Sequence, residues 1–112
     1  PKPKSLSRQE VLGIINGLEK GSTKNTRLVN TKKELDELWE RLTKNATKIE
    51  DRQIPITNKA TRQNTQETLI RYQLDDKTQI VYRTGSKSGG EAVNVYGKNP
   101  ELNKTIHIKG TK

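Results

Sequence analysis

The fold of this chain is decided by residues 68–84, which read TLIRYQLDDKTQIVYRT. Hydrophobic and polar side chains alternate with a period of two on both sides of Asp75-Asp76-Lys77, which is typical of two β-strands joined by a hairpin turn. Two more segments with this period follow toward the C-terminus. The predicted strands are Thr68–Leu74, Thr78–Thr84, Glu91–Tyr96 and Lys104–Lys109. Short polar links join them, so we expect an antiparallel meander.

Two helical patterns precede the strands. Ser7 with Glu10, and Thr31 with Glu34, have the spacing of a capping box, in which a hydroxyl and a carboxylate satisfy free amides at a helix start. Apolar residues with helical spacing follow each box and give each helix one apolar face. They are Val11, Leu12, Ile14, Ile15 and Leu18 in the first helix, and Leu35, Leu38, Trp39 and Leu42 in the second. We expect the first helix to end at Gly21.

These patterns predict an α+β fold, with N-terminal helices packed on one face of a four- to five-stranded antiparallel sheet. The chain of 112 residues has room for a single domain, 1–112. Its predicted parts are a flexible arm (1–5), a helical part (6–46), a loop (47–66) and the sheet (67–110). The loop is polar and contains Pro55, with room for a short extended piece at Gln53–Thr57.

Composition narrows the classes of function. The 22 Lys and Arg residues outnumber 13 Asp and Glu, for a net charge of +9, which favours a polyanionic partner, nucleic acid first and an acidic protein second. A solvated surface that keeps the protein soluble is the alternative.

With no Cys and one His, we expect no disulfide, metal or cofactor. No apolar run is long enough for a membrane span, so we expect no membrane insertion. Because the chain begins at Pro1 without any Met, we expect a processed product or a piece of a longer protein.

Alternation also predicts which side chains face away from the helices. If Ile80, Tyr82, Ile106 and Ile108 face the core, their neighbours along the strands face outward. The predicted open face carries Arg71, Arg83, Asn94, His107 and Lys109, with Thr84 and Ser86 at its rim.

A single His among positively charged side chains fits the chemistry of RNA cleavage. RNA carries its own nucleophile, the ribose 2′-OH, so its cleavage needs a base, an acid and cations rather than a metal. His107 can fill either proton role, Arg83 can hold phosphate oxygens, and Lys87 or Lys109 can add positive charge. The alternative is an ordinary surface His.

Two further questions stay open at this stage. The missing second His leaves Glu91, Tyr82, a Lys or a substrate group as the proton-transfer partner of His107. Arg71 and Arg83 can instead form cross-strand ion pairs with Glu67 or Glu91.

The link at residues 85–90, GSKSGG, is the other notable stretch. Glycine amides can approach a phosphate, and Ser and Lys add donors, but a Gly/Ser link is also typical of a flexible turn.

The stretch from Ile80 to Val95, IVYRTGSKSGGEAVNV, followed by TIHIK at residues 105–109, resembles a known family. It is similar to the C-terminal toxin domains of bacterial polymorphic and contact-dependent growth inhibition effectors (CdiA/WapA-like). The helix from Leu35 to Leu42, with its Leu-x-x-Leu-Trp pattern, also fits. Many such toxins resemble the barnase/EndoU/colicin/RelE superfold (BECR fold), which carries a metal-independent ribonuclease site on the exposed sheet face.

The resemblance implies a site of Arg83, Ser86, Lys87, Ser88 and His107, with Thr84 and Lys109 beside it. Combined with the open-face pattern, it predicts a catalytic set and a substrate-binding set. The catalytic set is His107, Arg83, Lys87 and Ser86; the substrate-binding set is Ser88, Thr84, Lys109, Arg71 and Asn94. Asn94 stands where the family often has Asp, so no acid is assigned there.

We therefore expect a metal-independent endoribonuclease toxin that cleaves RNA, above all tRNA, by 2′-OH transesterification. The resemblance implies antibacterial competition, secretion or cell-surface delivery within a larger effector, action in the target-cell cytoplasm, and a cognate acidic immunity protein. We expect a monomer. Two alternatives stay open: a non-catalytic RNA-binding module, and an interaction domain that recognises an acidic protein.

Overall fold

The structure is a computed structural model that describes residues 4–21, 23–59, 61–85, 91–98 and 100–109. The described elements are α1 (Arg8–Asn16), β1 (Glu19–Lys20), β2 (Thr26–Val29), α2 (Lys32–Thr43), β3 (Thr47–Thr57), β4 (Asn64–Gln73), β5 (Gln79–Arg83), β6 (Ala92–Tyr96), a 3₁₀ turn (Pro100–Leu102) and β7 (Lys104–Ile108). None of the helices in these ranges is long and apolar enough to cross a lipid bilayer.

The strands form one seven-stranded sheet in the order β1-β2-β7-β6-β5-β4-β3. Strands β2 and β7 pair in parallel, and every other neighbouring pair is antiparallel. The predicted α+β fold with a four- to five-stranded antiparallel sheet is therefore wrong. The described residues are mostly sheet, with 43% of them in strands, two helices and mixed strand directions.

The first source of this error is strand β3, in the region predicted to be a loop. It pairs along the whole of β4, from Thr47 opposite Gln73 to Thr57 opposite Asn64. As an edge strand it is exposed at most positions on both faces, so it lacks the alternation that marks a half-buried strand. An edge strand also tolerates Pro55, because a proline there removes no central hydrogen bond.

The second source lies between the helices. Helix α1 ends at Asn16 with Gly17 as its C-cap, not at Gly21 as predicted. Gly21 instead lies in the β1–β2 connection, where an added Cβ would come within 2.5 Å of Thr26 Cγ2. Strands β1 and β2 contain two and four residues, which is too short for a periodic pattern to be recognised.

The helix starts are close to those predicted. At Ser7 both halves of the capping box are present, since its hydroxyl accepts from Glu10 N and the Glu10 carboxylate accepts from Ser7 N. At Thr31 only the hydroxyl half is present. The Glu34 carboxylate accepts from Asn30 N instead, 2.9 Å away.

Both helices contribute to a core on one face of the sheet. The buried core residues are Val11, Ile15, Val29, Leu35, Leu38, Leu42, Leu74, Ile80, Tyr82, Val93, Val95, Leu102 and Ile106. The strand members include Ile80, Tyr82 and Ile106, which were predicted to point inward. The alternate positions of β5, β6 and β7 therefore face away from the helices.

Candidate functional site

Strand pairing aligns five residues in one row across the face opposite the helices. Leu28 lies opposite His107, His107 opposite Ala92, Ala92 opposite Arg83, and Arg83 opposite Leu69. Directly paired residues project to the same face of a sheet. His107 and Arg83 therefore share this face on either side of Ala92, with their backbones two strand spacings, about 10 Å, apart.

A second row lies beside the first and completes the site. Asn94 is opposite Thr105 and sits two residues along β6 from Ala92. Both Ala92 and Asn94 are buried, although the two described helices pack on the other face. We call the group formed by Arg83, Ala92, Asn94, Thr105 and His107 the recess. Its middle strand offers short side chains, and its two flanks carry a guanidinium and an imidazole.

His107 is half-buried, and two causes lower the pKa of its imidazole. The larger is burial, which disfavours the charged form, and the second is repulsion by the nearby positive charge of Arg83. A His whose pKa lies below its usual value is mostly neutral at pH 7. The imidazole is therefore able to accept a proton.

Arg83 forms no ion pair with any residue in the described ranges. Its Nε is buried and has no hydrogen-bond partner. The alternative partners have other contacts, since Glu67 accepts a hydrogen bond from Thr84 Oγ1 and Glu91 accepts one from Tyr82 Oη. Buried polar groups are rarely left unpaired, so Arg83 has capacity for an anion.

Asn94 adds a second unsatisfied atom to the recess. Its Nδ2 donates to Thr105 Oγ1 at 2.8 Å, and this bond orients the amide. Its Oδ1 is buried without a partner. One unpaired donor and one unpaired acceptor therefore lie on the same small area of sheet, and buried polar atoms without partners call for an explanation such as a catalytic role or a bound ion.

Arg71 lies on the same face but has two protein partners. Its Nε donates to Glu50 Oε1 at 2.9 Å, and its Nη1 donates to Gln79 Oε1 at 2.8 Å. The hydrogen bond from Arg71 is the main reason that the pKa of Glu50 is lowered. Arg71 is held away from the recess by these bonds, so its predicted substrate contact requires that they break.

The other predicted residues at the rim also have partners. Lys109 Nζ lies 3.2 Å from Glu19 Oε1, and both side chains are about half exposed, so the pair is weak. Thr84 Oγ1 donates to Glu67 at 2.8 Å and accepts from Thr68 N at 2.9 Å. The predicted Ser86, Lys87 and Ser88 lie outside the described residues.

Two candidate partners of His107 lie on the other face of the sheet. Tyr82 Oη lies 3.0 Å from Glu91 Oε2 and 3.1 Å from Asp36 Oδ1 on helix α2. Burial, and then the Glu91 carboxylate, raise the pKa of the Tyr82 hydroxyl. Neither Tyr82 nor Glu91 therefore transfers a proton with His107 in this geometry.

The apolar neighbours of His107 and Arg83 in the row could not be predicted from the sequence. Leu28 belongs to β2, a strand of four residues with no recognisable period. Leu69 was within a predicted strand, but its position opposite Arg83 follows only from the register. Both place an apolar side chain beside the recess, and the row continues beyond them to Glu19 on β1 and Arg52 on β3.

The described ranges contain no cluster of three His, Cys, Asp or Glu side chains that could hold a metal ion. Comparison of the chain with protein-family models, with curated proteins and with solved structures finds no match.

Proposed function

We propose that this protein is a metal-independent endoribonuclease that cleaves RNA by attack of the ribose 2′-OH on the adjacent phosphate. One observation carries the proposal: a half-buried imidazole with a lowered pKa and a guanidinium that forms no ion pair within the described ranges flank the same recess. The base of such a reaction must be unprotonated at neutral pH, and the cation must be free to hold a phosphate. His107 and Arg83 meet these two requirements.

In the proposed reaction, His107 takes the proton from the 2′-OH. The 2′-oxygen then forms a bond to phosphorus, the bond from phosphorus to the 5′-oxygen breaks, and solvent water supplies a proton to that oxygen while the protonated His107 returns its own proton to solvent. The products carry a 2′,3′-cyclic phosphate and a 5′-OH. Arg83 stabilises the charge that accumulates on the phosphate oxygens in the transition state.

The Asn94 amide positions the substrate beside these two residues. Its unpaired Oδ1 can accept a hydrogen bond from a ribose hydroxyl or a base amine, while its Nδ2 remains bonded to Thr105. The toxin resemblance alone supports phosphate contacts from Lys87, Ser86 and Ser88. Substrate binding by Lys109, Thr84 and Arg71 would first require that they release their present partners.

The finer assignments rest on the resemblance of residues 80–95 and 105–109 and on the net charge of +9. We propose tRNA as the substrate and competition between bacteria as the role. Delivery would be as part of a larger secreted or cell-surface effector, with action in the target-cell cytoplasm. A cognate acidic immunity protein would cover the basic surface.

The test is cleavage of total tRNA by the purified chain in the presence of EDTA. We expect products with a 2′,3′-cyclic phosphate, and no cleavage at a site that carries a 2′-deoxy substitution. His107→Ala should reduce the rate by about 10²–10⁴-fold, and Arg83→Gln by about 10²–10³-fold. Arg41→Gln, which removes the same charge from an exposed position on α2, is the matched control and should cleave normally.

Three results would count against the proposal. Cleavage that requires a divalent metal would exclude the mechanism, and full activity of His107→Ala would exclude its base. Salt-sensitive binding of tRNA without strand scission would favour the non-catalytic RNA-binding module.

A further inference from the structure

A second positively charged site lies on the other side of the sheet. A pocket of about 370 Å³ is bounded by the end of α1, the β1–β2 hairpin, the 3₁₀ turn and β7. It is lined by Asn16, Lys20, Lys24, Arg27, Glu101 and Lys104. We call it the anion pocket. Four cations and one carboxylate give its lining a net charge of +3.

Two of these cations are almost completely buried. Arg27 and Lys104 are each 8% exposed, and neither forms an ion pair with a residue in the described part of the chain. Arg27 lies opposite Ile106 in the β2–β7 pair, two residues along β7 from Lys104 and on the same face. Buried charges are ordinarily paired, so two neighbouring and mostly buried cations favour the binding of an anion.

The hydrogen bonds of Arg27 show which edge of the guanidinium is available. Its Nη1 donates to the backbone oxygens of Lys24 at 3.2 Å and Thr26 at 3.1 Å. Its Nε is buried without a partner. The Nε–H and Nη2–H bonds point to the same side of a guanidinium and match two oxygens of a phosphate. Arg27 is therefore anchored through Nη1, while its Nε has no partner.

We infer that the anion pocket binds the di- or triphosphate group of a small ligand. A single monoanion would leave most of the positive charge of the lining uncompensated, whereas a chain of two or three phosphates carries about the opposite charge. Lys20 and Lys24 are exposed at the mouth, where they can contact the outer phosphate while Arg27 and Lys104 hold the inner one. The anion pocket lies on the helix-covered side, away from His107, and its ligand does not depend on ribonuclease activity.

The test is calorimetric titration of the full chain with pyrophosphate, tripolyphosphate, ATP and, as a low-charge reference, sulfate. We expect saturable binding of tripolyphosphate and much weaker binding of sulfate. The double variant Lys20→Gln/Lys24→Gln should weaken tripolyphosphate binding by at least about tenfold, or about 1.4 kcal/mol. The matched control, Lys33→Gln/Lys44→Gln, removes two exposed lysines elsewhere and should bind as the unmodified chain does.

An NMR resonance tests binding directly at the buried Nε of Arg27. The ¹⁵N–¹H resonance of Arg27 Nε should move on addition of tripolyphosphate, because a new acceptor joins that N–H. Tripolyphosphate should raise the melting temperature of the unmodified chain but not that of Lys104→Met. If Lys104→Met does not fold, the double lysine variant decides the question.

The relative affinities for ATP and tripolyphosphate distinguish a nucleotide ligand from a phosphate chain alone. ATP binding tighter than tripolyphosphate binding supports a nucleotide ligand, and equal affinities support recognition of the phosphate chain alone. The inference is overturned if none of the phosphates binds saturably, or if the control pair weakens binding as much as Lys20→Gln/Lys24→Gln does.

Discussion

At the scale of single residues, the properties of His107 depend on its neighbours across two strands. Burial and the positive charge of Arg83 both lower the pKa of the imidazole, and Ala92 between them keeps a short side chain where a longer one would separate them. The same guanidinium that would bind the substrate phosphate therefore also contributes to lowering the pKa of the base. Once a phosphate is bound, its negative charge would offset the effect of Arg83 on the pKa.

The first prediction concerns this coupling. His107 is the one His of the chain, so its ring protons are assigned in an NMR titration without further work. We expect a midpoint below the usual value of about 6.5. Arg83→Gln should raise the midpoint because it removes the repulsion, whereas Arg41→Gln should leave it unchanged. A midpoint at or above the usual value, or one that Arg83→Gln does not move, would contradict the geometry of the recess.

The sign of the pH effect on stability follows from the same shift. The folded pKa of His107 is lowered, so the unfolded chain binds the proton more tightly than the folded one. The contribution is absent at neutral pH and becomes destabilising as the pH falls through the unfolded pKa of about 6.5 toward the folded value. His107→Gln should therefore lose less stability on acidification than the unmodified chain, as measured by urea denaturation.

At the scale of elements, one tyrosine connects helix α2 to strands β5 and β6. Tyr82 contacts Trp39 with ring centroids 5.4 Å apart, and its hydroxyl lies within hydrogen-bonding distance of Asp36 and Glu91. Lys32 Nζ lies near both carboxylates, 3.1 Å from Asp36 and 3.6 Å from Glu91. These contacts fix the helix against the strand that also carries Arg83.

The second prediction is that Tyr82→Phe lowers the free energy of unfolding by about 1–2 kcal/mol, because it removes the single hydroxyl proton that the Asp36 and Glu91 carboxylates share. Tyr72→Phe is the matched control, since the Tyr72 ring makes a similar edge contact with Trp39, also at 5.4 Å. It should change the stability much less. Both are measured by urea denaturation at pH 7, and equal losses in the two variants would contradict the role given to the Tyr82 hydroxyl.

At the scale of the whole molecule, stability is concentrated in the middle of the sheet. Strand β6 lies fourth in the order of seven, and Ala92, Val93 and Val95 are completely buried. The edge strand β3 is exposed along most of its length and pairs only with β4. The recess is thus built on the best-packed strands, while the periphery is open to solvent.

The third prediction follows from this gradient. In hydrogen exchange, the amides of β6 and of the central part of β5 should exchange most slowly, at rates that approach global unfolding. Amides of β3 and β1 should exchange much faster, because local opening there exposes few apolar contacts. Equal protection of β3 and β6 would contradict this prediction, because it would show that the β3–β4 hairpin is as stable as the core.

Sequence patterning was most reliable where one face of an element is buried and the other is not. It located α1, α2 and the strands that contain Ile70, Ile80, Val93 and Ile106, since each repeats an apolar side chain with a clear period. It failed for β3, which has little to bury, and for β1 and β2, which are too short. It also missed Arg27, because Arg27 lies in the short strand β2 and its place beside Lys104 depends on the parallel β2–β7 pair.

By itself, the sequence determined the periods of the main strands and therefore the shared face of His107 and Arg83, because side-chain alternation in a strand is a local property. Only the tertiary structure decided the number and order of the strands, the distance between those two groups, and which cations have partners. Those features depend on pairing between distant segments, where the free energy comes from contacts that no local pattern records.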